Sequence, residues 1–245
     1  MAGILKEAKR GLRRRSGAFL HNAIHSSPSW LQRKAAPALC YAEMLLVDYG
    51  LTRALFSNRH KIADDVWRSA QPAPHQIRWA AKHGVKTVIN LRGDQSFGTR
   101  WLEERACQRH GLTLVNLKLR SRAAPEIEEF RAVRETLEAV TFPILVHCKS
   151  GSDRAGLMSV LVLHLHGGVP IEEARKQLSL RFGHIKQADT GVLDYVFERY
   201  LEDNEKSPLP FWDWIETKYD AAEINRTFRA NGWANRLVNG ILKRE

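Results

Sequence analysis

Cysteine is scarce in this sequence. Its 245 residues hold three, Cys40, Cys107 and Cys148, an odd, widely spaced set that excludes a disulfide framework and fits a reducing compartment. A chain of this length buries on the order of 70% of its unfolded surface and has no need of such staples. No CxxC pair occurs, and neither a metal nor a cofactor is expected. Long apolar runs are missing too. The most apolar stretch, 36–56, is interrupted by Glu43, Asp48 and Arg53, which excludes the ~20 uninterrupted apolar residues of a membrane span. The basic N-terminus is not followed by an apolar segment of about 7–15 residues, so a cleaved signal peptide is not expected. Neither an internal repeat nor a low-complexity tract is present. With 44% apolar and 27% charged residues, wholesale disorder is excluded. The expectation is a soluble, cytoplasmic protein.

Charge is plentiful but uneven. The net charge is +11, and residues 1–62 hold 11 Lys and Arg against 3 acidic residues. Most of the excess therefore belongs to the first quarter of the chain. Within residues 1–27, Leu5, Ala8, Leu12 and Phe19 fall near helical spacing beside Lys6, Lys9, Arg10 and Arg13 to Arg15. Such a segment can lie on an anionic membrane surface, remain a solvated arm, or bind nucleic acid non-specifically. Peripheral membrane contact is weighed ahead of nucleic acid, which is not the expected partner.

From Val66 the texture alternates between strands and helices. Strands are predicted at 66–70, 87–91, 112–119 and 143–147, and helices at about 74–83, 99–110, 125–140, 153–166, 171–181 and 190–203. Ile127, Phe130, Val133, Leu137 and Val140 recur at three and four, the spacing of one helix face. This order predicts an α/β fold, a mostly parallel central sheet of four to five strands flanked by helices. The expected organisation is a basic helical extension over 1–61, a compact domain over 62–204, and an aromatic and basic helical extension over 205–245 that packs on the core. Cys40 and Cys107 are expected to be buried apolar fillers.

The segment that carries chemistry is Ile144-Leu-Val-His147-Cys148-Lys149-Ser150-Gly151-Ser152-Asp153-Arg154. A strand ends at a cysteine, five residues turn, and an arginine opens an apolar helix. Backbone N–H groups of a loop feeding a helix N-terminus form a concave anion site, reinforced by the helix dipole. Lys149, Ser150, Gly151, Ser152, Asp153 and Arg154 are therefore candidate phosphate-binding residues. Gly151 lets the turn curl, and Arg154 can grip two phosphate oxygens. In that positive field the sulfur of Cys148 is favoured as a thiolate, placed to attack phosphorus in line.

The His-Cys-x-x-Gly-x-x-Arg segment resembles the signature loop of the cysteine-dependent protein tyrosine and dual-specificity phosphatase superfamily. Trp67-Arg68-Ser69-Ala70-Gln71-Pro72 and Gly84-Val85-Lys86-Thr87-Val88-Ile89-Asn90-Leu91-Arg92 also resemble the opening of compact atypical, bacterial-like dual-specificity phosphatases. The resemblance covers about residues 64–203. It implies a metal-free phosphomonoesterase with Cys148 as nucleophile, Arg154 as phosphate clamp and His147 bracing the loop. The substrate would be a phosphoprotein or a phospholipid such as a phosphoinositide. Lys149 is similar to the lysine in the CKxGxxR loops of phosphoinositide phosphatases.

Two departures from the family pattern stand out. Ala155 occupies the place where a Ser or Thr usually follows the arginine. Roughly 30 residues before the cysteine, where the family usually supplies an acidic Asp, the chain reads Leu119-Arg120-Ser121-Arg122-Ala123-Ala124-Pro125-Glu126. A proton donor to the leaving group is worth ~10²–10⁴ in rate. Asp153, similar to the Asp of myotubularin-like CxxGxDR loops, is the preferred acid, its alternative being a carboxylate that stabilises the helix N-terminus. Asp94 is a supporting candidate as acid or substrate contact, Glu126 reads as a first-turn helix acid, and Gln187 is a candidate for positioning water. Arg120 and Arg122 either line the mouth or form a solvated basic face. The alternative function is a pseudophosphatase that binds phosphate without turnover.

Overall fold

The computed structural model describes residues 11, 15–24, 26, 28–48, 57–93 and 95–229. The expectations for most of residues 1–14, for Asp94, and for the basic helix beyond residue 229 lie outside the described residues. Residues 15–24 are helical. Five strands, β1 (His60–Ala63), β2 (Val66–Ser69), β3 (Thr87–Asn90), β4 (Thr113–Asn116) and β5 (Ile144–His147), form one sheet in the order β1-β2-β5-β3-β4. The helices are α1 (Ser29–Leu46), α2 (Pro74–Lys82), α3 (Phe97–His110), α4 (Ile127–Ala139), α5 (Asp153–Leu165), α6 (Ile171–Ala174), α7 (Val192–Lys206), α8 (Phe211–Thr217) and α9 (Ala221–Thr227).

The fold is the expected α/β class. β5 lies at the centre, parallel to β2 on one side and β3 on the other, in a register that aligns Ser69, His147 and Asn90 in one row. All four of its residues are buried, which is why it reads as an unbroken apolar run rather than an alternating one. β1, antiparallel to β2, was not among the predicted strands; its residues His-Lys-Ile-Ala are only partly buried and carry no period. Chains leaving the carboxyl ends of parallel strands open the crevice where such sheets bind ligands, and the segment after His147 is one of them.

The helix predicted over 171–181 is a correction. It stops after one α-helical turn, α6, and continues as two short 3-10 turns, 175–177 and 180–182. Leu178 between them has ψ 83, outside helical space. The carbonyl of Gln177, which a helix would use internally, accepts from Arg68 Nη1 at 2.8 Å instead.

The chain packs as two units that interleave along the sequence: Met1–Ser57, Pro72–Gly84 and Asp94–Leu114 in one, Asn58–Gln71, Val85–Gly93 and Val115–Glu245 in the other. In the first, Ile24, Ala36, Cys40, Met44 and Leu102 form a core flanked by Tyr41, Leu45, Phe97 and Trp101. Buried Glu43 accepts from Gly98 N at 2.9 Å. A Cβ on Gly98 would lie 2.6 Å from that carboxylate and 2.7 Å from Cys40 O, so α1 and α3 can approach this closely only at a glycine. Burial pushes the thiols of Cys40 and Cys107 up to about 12, and both stay neutral fillers, as expected.

In the second unit, α5 is buried around almost its whole circumference from Asp153 to Val162, the pattern of a central helix. α4 contributes Phe130, Val133 and Leu137. Phe211 of α8, 1% exposed, meets Phe130 and Tyr200 edge-on, Phe197 tilted and Trp214 stacked, so this aromatic segment belongs to the same core. Replacing a fully buried phenylalanine costs about 3–5 kcal/mol. Phe211→Ala is therefore expected to lower the unfolding free energy by that amount in urea titration; a loss under about 1 kcal/mol would show that α8 only rests on the surface.

Candidate phosphate-binding active site

The site is built within the second unit, at the carboxyl end of β5. His147 and Cys148 are 0% and 1% exposed, and five residues later α5 begins at Asp153. Between them the carbonyls of four consecutive residues are each held by a named donor. Lys149 O accepts from Gln71 N at 3.2 Å. Ser150 O accepts from Asn58 Nδ2 at 3.0 Å. Gly151 O and Ser152 O accept from Arg68 Nη2 at 2.8 and 3.0 Å. In a trans peptide the N–H of the next residue points opposite to the carbonyl. The N–H groups of Ser150, Gly151, Ser152 and Asp153 are thereby turned to the other side of the loop, a nest at the positive end of α5.

Gly151 makes this turn possible. Its φ is +75, a region glycine enters without penalty, and a Cβ there would lie 2.6–2.8 Å from backbone atoms of Ser69 and Ala70. The loop thus lies against the end of β2. Arg154 stands half-buried on the first turn of α5, one residue after the last amide of the nest. Lys149 is buried. So is Arg92 after β3, whose Nη1 donates to Gln71 Oε1 at 2.9 Å. Two further cations therefore lie at this edge of the sheet.

Asp153 is 5% exposed and its Oδ1 lies 2.7 Å from His184 Nδ1. The other ring nitrogen, Nε2, is 2.6 Å from Asp194 Oδ2. Both partners are carboxylates, so both nitrogens donate when the ring is an imidazolium. Burial works against that charge, but hydrogen bonds and attraction from Asp153 and Asp194 outweigh it and raise His184 to about 9. This geometry favours the helix-anchoring reading of Asp153 over that of proton donor, because a carboxylate facing an imidazolium stays ionised.

Of the other sequence candidates, Ala155 is fully buried and its carbonyl accepts from Ser159 Oγ one turn on, at 2.6 Å. Arg120 is paired with Glu126 and Glu129 at the start of α4, and Glu126 caps that helix. Arg122 lies 3.6 Å from Asp189, and Gln187 is exposed. Among the described residues no group of three His, Cys, Asp or Glu side chains is arranged to hold a metal ion, and no helix is long and apolar enough to cross a membrane. Sequence reasoning missed Asn58, Arg68, His184 and Asp194. Asn58, at φ +42, also donates to Phe182 O at 2.8 Å. The one available signal was an arginine inside an otherwise buried strand, β2.

A strand-end cysteine, an amide nest and an arginine on the following helix define the class of cysteine-dependent phosphatases. Residues 52–189 match the family model described as "DSP-PTPase phosphatase fused to NAD+ Kinase"; the chain belongs to that family and is a phosphatase of the dual-specificity, protein tyrosine phosphatase type. Among solved structures it is similar to TpbA of P. aeruginosa, 18% identical over 69% of this chain and 89% of that one, TM-score 0.44. It is also similar to PTPMT1, 19% identical over 61% and 99%, TM-score 0.44. A DUF442 protein of Shewanella putrefaciens CN-32 is 20% identical over 64% and 97%, TM-score 0.47. No curated protein matches the chain.

The raised His184 fixes a pH dependence. A group that binds its proton more tightly when folded adds stability in full below its ordinary value, 6.5, and loses it as pH rises towards about 9. The span corresponds to a contribution on the order of 3 kcal/mol. The chain is expected to lose unfolding free energy between these limits, and His184→Ala to flatten that decline, read by denaturant titration at several pH values. An unchanged slope in the variant would show that His184 is not the titrating group.

Proposed function

We propose that this phosphatase hydrolyses phosphomonoesters in two steps through a phosphocysteine at Cys148. The observation that carries the reading is the run of outward-held carbonyls from Lys149 to Ser152 beside a cysteine at the end of the central strand. The amide nest and the Arg154 guanidinium hold the non-bridging phosphate oxygens and stabilise the charge spread over them in the transition state. Cys148 Sγ forms a bond to phosphorus as the bond to the leaving oxygen breaks, and the leaving oxygen takes up a proton. Water then attacks phosphorus, the S–P bond breaks, and phosphate departs with the thiolate restored. No metal or cofactor enters these steps.

Buried Lys149 and Arg92 support a substrate with more than one anionic group, a phosphoprotein segment or a phosphoinositide headgroup. His147, buried at the strand end, is the brace of the loop. The basic spacing of residues 1–27 supports peripheral contact with an anionic membrane surface as part of the same proposal, and that element rests on the sequence alone.

Asp153 is assigned here to anchoring the loop through His184 rather than to donating the proton. Leaving groups that part easily as anions, such as aryl oxides, then react much faster than alkyl oxides. Cys148→Ser is expected to reduce kcat towards an aryl phosphate on the order of 10⁴-fold or more; retention of activity would overturn the phosphocysteine reading. Asp153→Asn separates the two roles of that residue. Anchoring predicts the same proportional loss of kcat/KM for aryl and alkyl phosphates. A loss of about 10²-fold or more confined to alkyl phosphates would instead identify Asp153 as the acid.

A further inference from the structure

Arg68 is fully buried on β2, and its surroundings are unusual for a charge. Nη1 donates to the backbone and side-chain oxygens of Gln177 at 2.8 and 2.9 Å. Nη2 donates to Gly151 O and Ser152 O. The guanidinium lies 4.0 Å over the Phe182 ring, and Nε has no hydrogen-bond partner. Every acceptor is neutral, and among the described residues no carboxylate forms an ion pair with Arg68. Leaving a buried ion without a counter-charge is costly, so a negative charge in reach is needed to balance it. The negative charges that act on the guanidinium are those of Cys148 and Asp153; burial lowers Arg68 to about 10, and these two oppose that fall. Asp153 is already paired with His184.

We propose that Arg68 is a positioning residue of the phosphatase site, which from behind the loop fixes two carbonyls of the amide nest and sets a buried positive charge against the sulfur of Cys148. The assignment rests on Cys148 being the nucleophile. It divides the work of the two arginines: Arg154 serves the substrate on the open side of the loop, and Arg68 serves the loop and the sulfur from the closed side. The other charged or titratable groups around this point are His60 on β1, Arg92 after β3, His147 on β5, Lys149, Asp153 and Arg154 of the loop and α5, and Arg181 and His184 of the segment that follows α6. Among them His60 is held below its ordinary value, by burial first and then by Arg68 and Arg181, and so adds no positive charge near neutrality. A neutral His60 does not share that role with Arg68.

The test is the pH dependence of iodoacetamide alkylation of Cys148, followed by mass spectrometry of its peptide in the full chain. It is run on the native protein, Arg68→Met and Arg68→Lys, with thermal unfolding as a control for folding. Removing a positive charge close to a thiolate moves its titration by about one pH unit or more. The midpoint is expected to rise by that amount in Arg68→Met and to stay within a few tenths in Arg68→Lys. Lysine keeps the charge but cannot span both carbonyls and Gln177. Arg68→Lys is accordingly expected to lose tungstate affinity about tenfold while keeping the native midpoint. Should Arg68→Met not fold, Arg68→Gln, which keeps two N–H donors without the charge, carries the same measurement. A folded neutral variant with an unchanged midpoint overturns the proposal. If the native chain shows no Cys148-dependent phosphatase activity, the underlying reading fails instead, and the two failures are told apart by the Cys148→Ser control.

Discussion

An amide nest binds an anion only if its carbonyls are kept from turning inward, and of the four in this turn Ser152 O has a local donor, Gly156 N of α5 at 2.9 Å. Here Gln71 N, Asn58 Nδ2 and Arg68 Nη2 hold four successive carbonyls from outside the loop. All three donors come from the segment 58–71 that forms β1, β2 and their flanks. Without them the peptide groups of residues 149–153 would be free to relax towards a lower-field arrangement, and the dipole of α5 alone would offer a weaker site. The parallel pairing of β2 with β5 is what delivers this segment to the loop. Fold and site are therefore connected by strand register: slipping β2 by one residue would exchange Arg68 for a neighbour that points to the opposite face.

Electrostatics at this edge follow from the same arrangement. Arg68, Arg92, Lys149 and the imidazolium of His184 are buried near the loop, against the carboxylates of Asp153 and Asp194 and the sulfur of Cys148. A cluster weighted towards positive charge in a medium of low dielectric is costly in isolation and is relieved when a multiply charged anion enters. Such a cluster strengthens the attraction for phosphate while raising the cost of the unliganded state, the compromise by which binding sites hold strain that the rest of the fold compensates.

Much of this was legible in the sequence, and what was not has definite causes. β2, β3 and β5 coincide with the apolar or β-branched runs predicted for them, because a strand covered on its faces is written locally; β4 takes up only 113–116 of the predicted 112–119 and is exposed or partly buried. The Cys148 to Arg154 turn was legible because its residues are consecutive. Arg68 and Asn58 act on residues more than 80 positions away, and the arginine's place within β2 was the one local sign of its burial. His184 was passed over for the neighbouring Gln187, since nothing in the spacing indicates that two aspartates, Asp153 and Asp194, meet across one ring. Packing also groups segments that composition keeps apart: residues 72–84 and 94–114 belong with the N-terminal helices in one unit, although by texture they continue the strand-helix alternation.

The broken helix after α6 has its place in the same logic. Segment 175–191 contains three short 3-10 turns, 175–177, 180–182 and 189–191, whose hydrogen bonds are poorer than those of an α-helix. It is held by contacts with the site instead: Gln177 by Arg68, Phe182 O by Asn58, and His184 by Asp153. Each of those three partners also bonds to the loop after Cys148 or belongs to it. A segment with weak internal bonding and strong shared contacts opens and closes together with what it touches. The loop and this segment are joined by these contacts, and a continuous α-helix over 171–181 would have removed the Gln177 carbonyl from Arg68. The departure from regular structure is thus the condition for orienting the guanidinium that orients the nest.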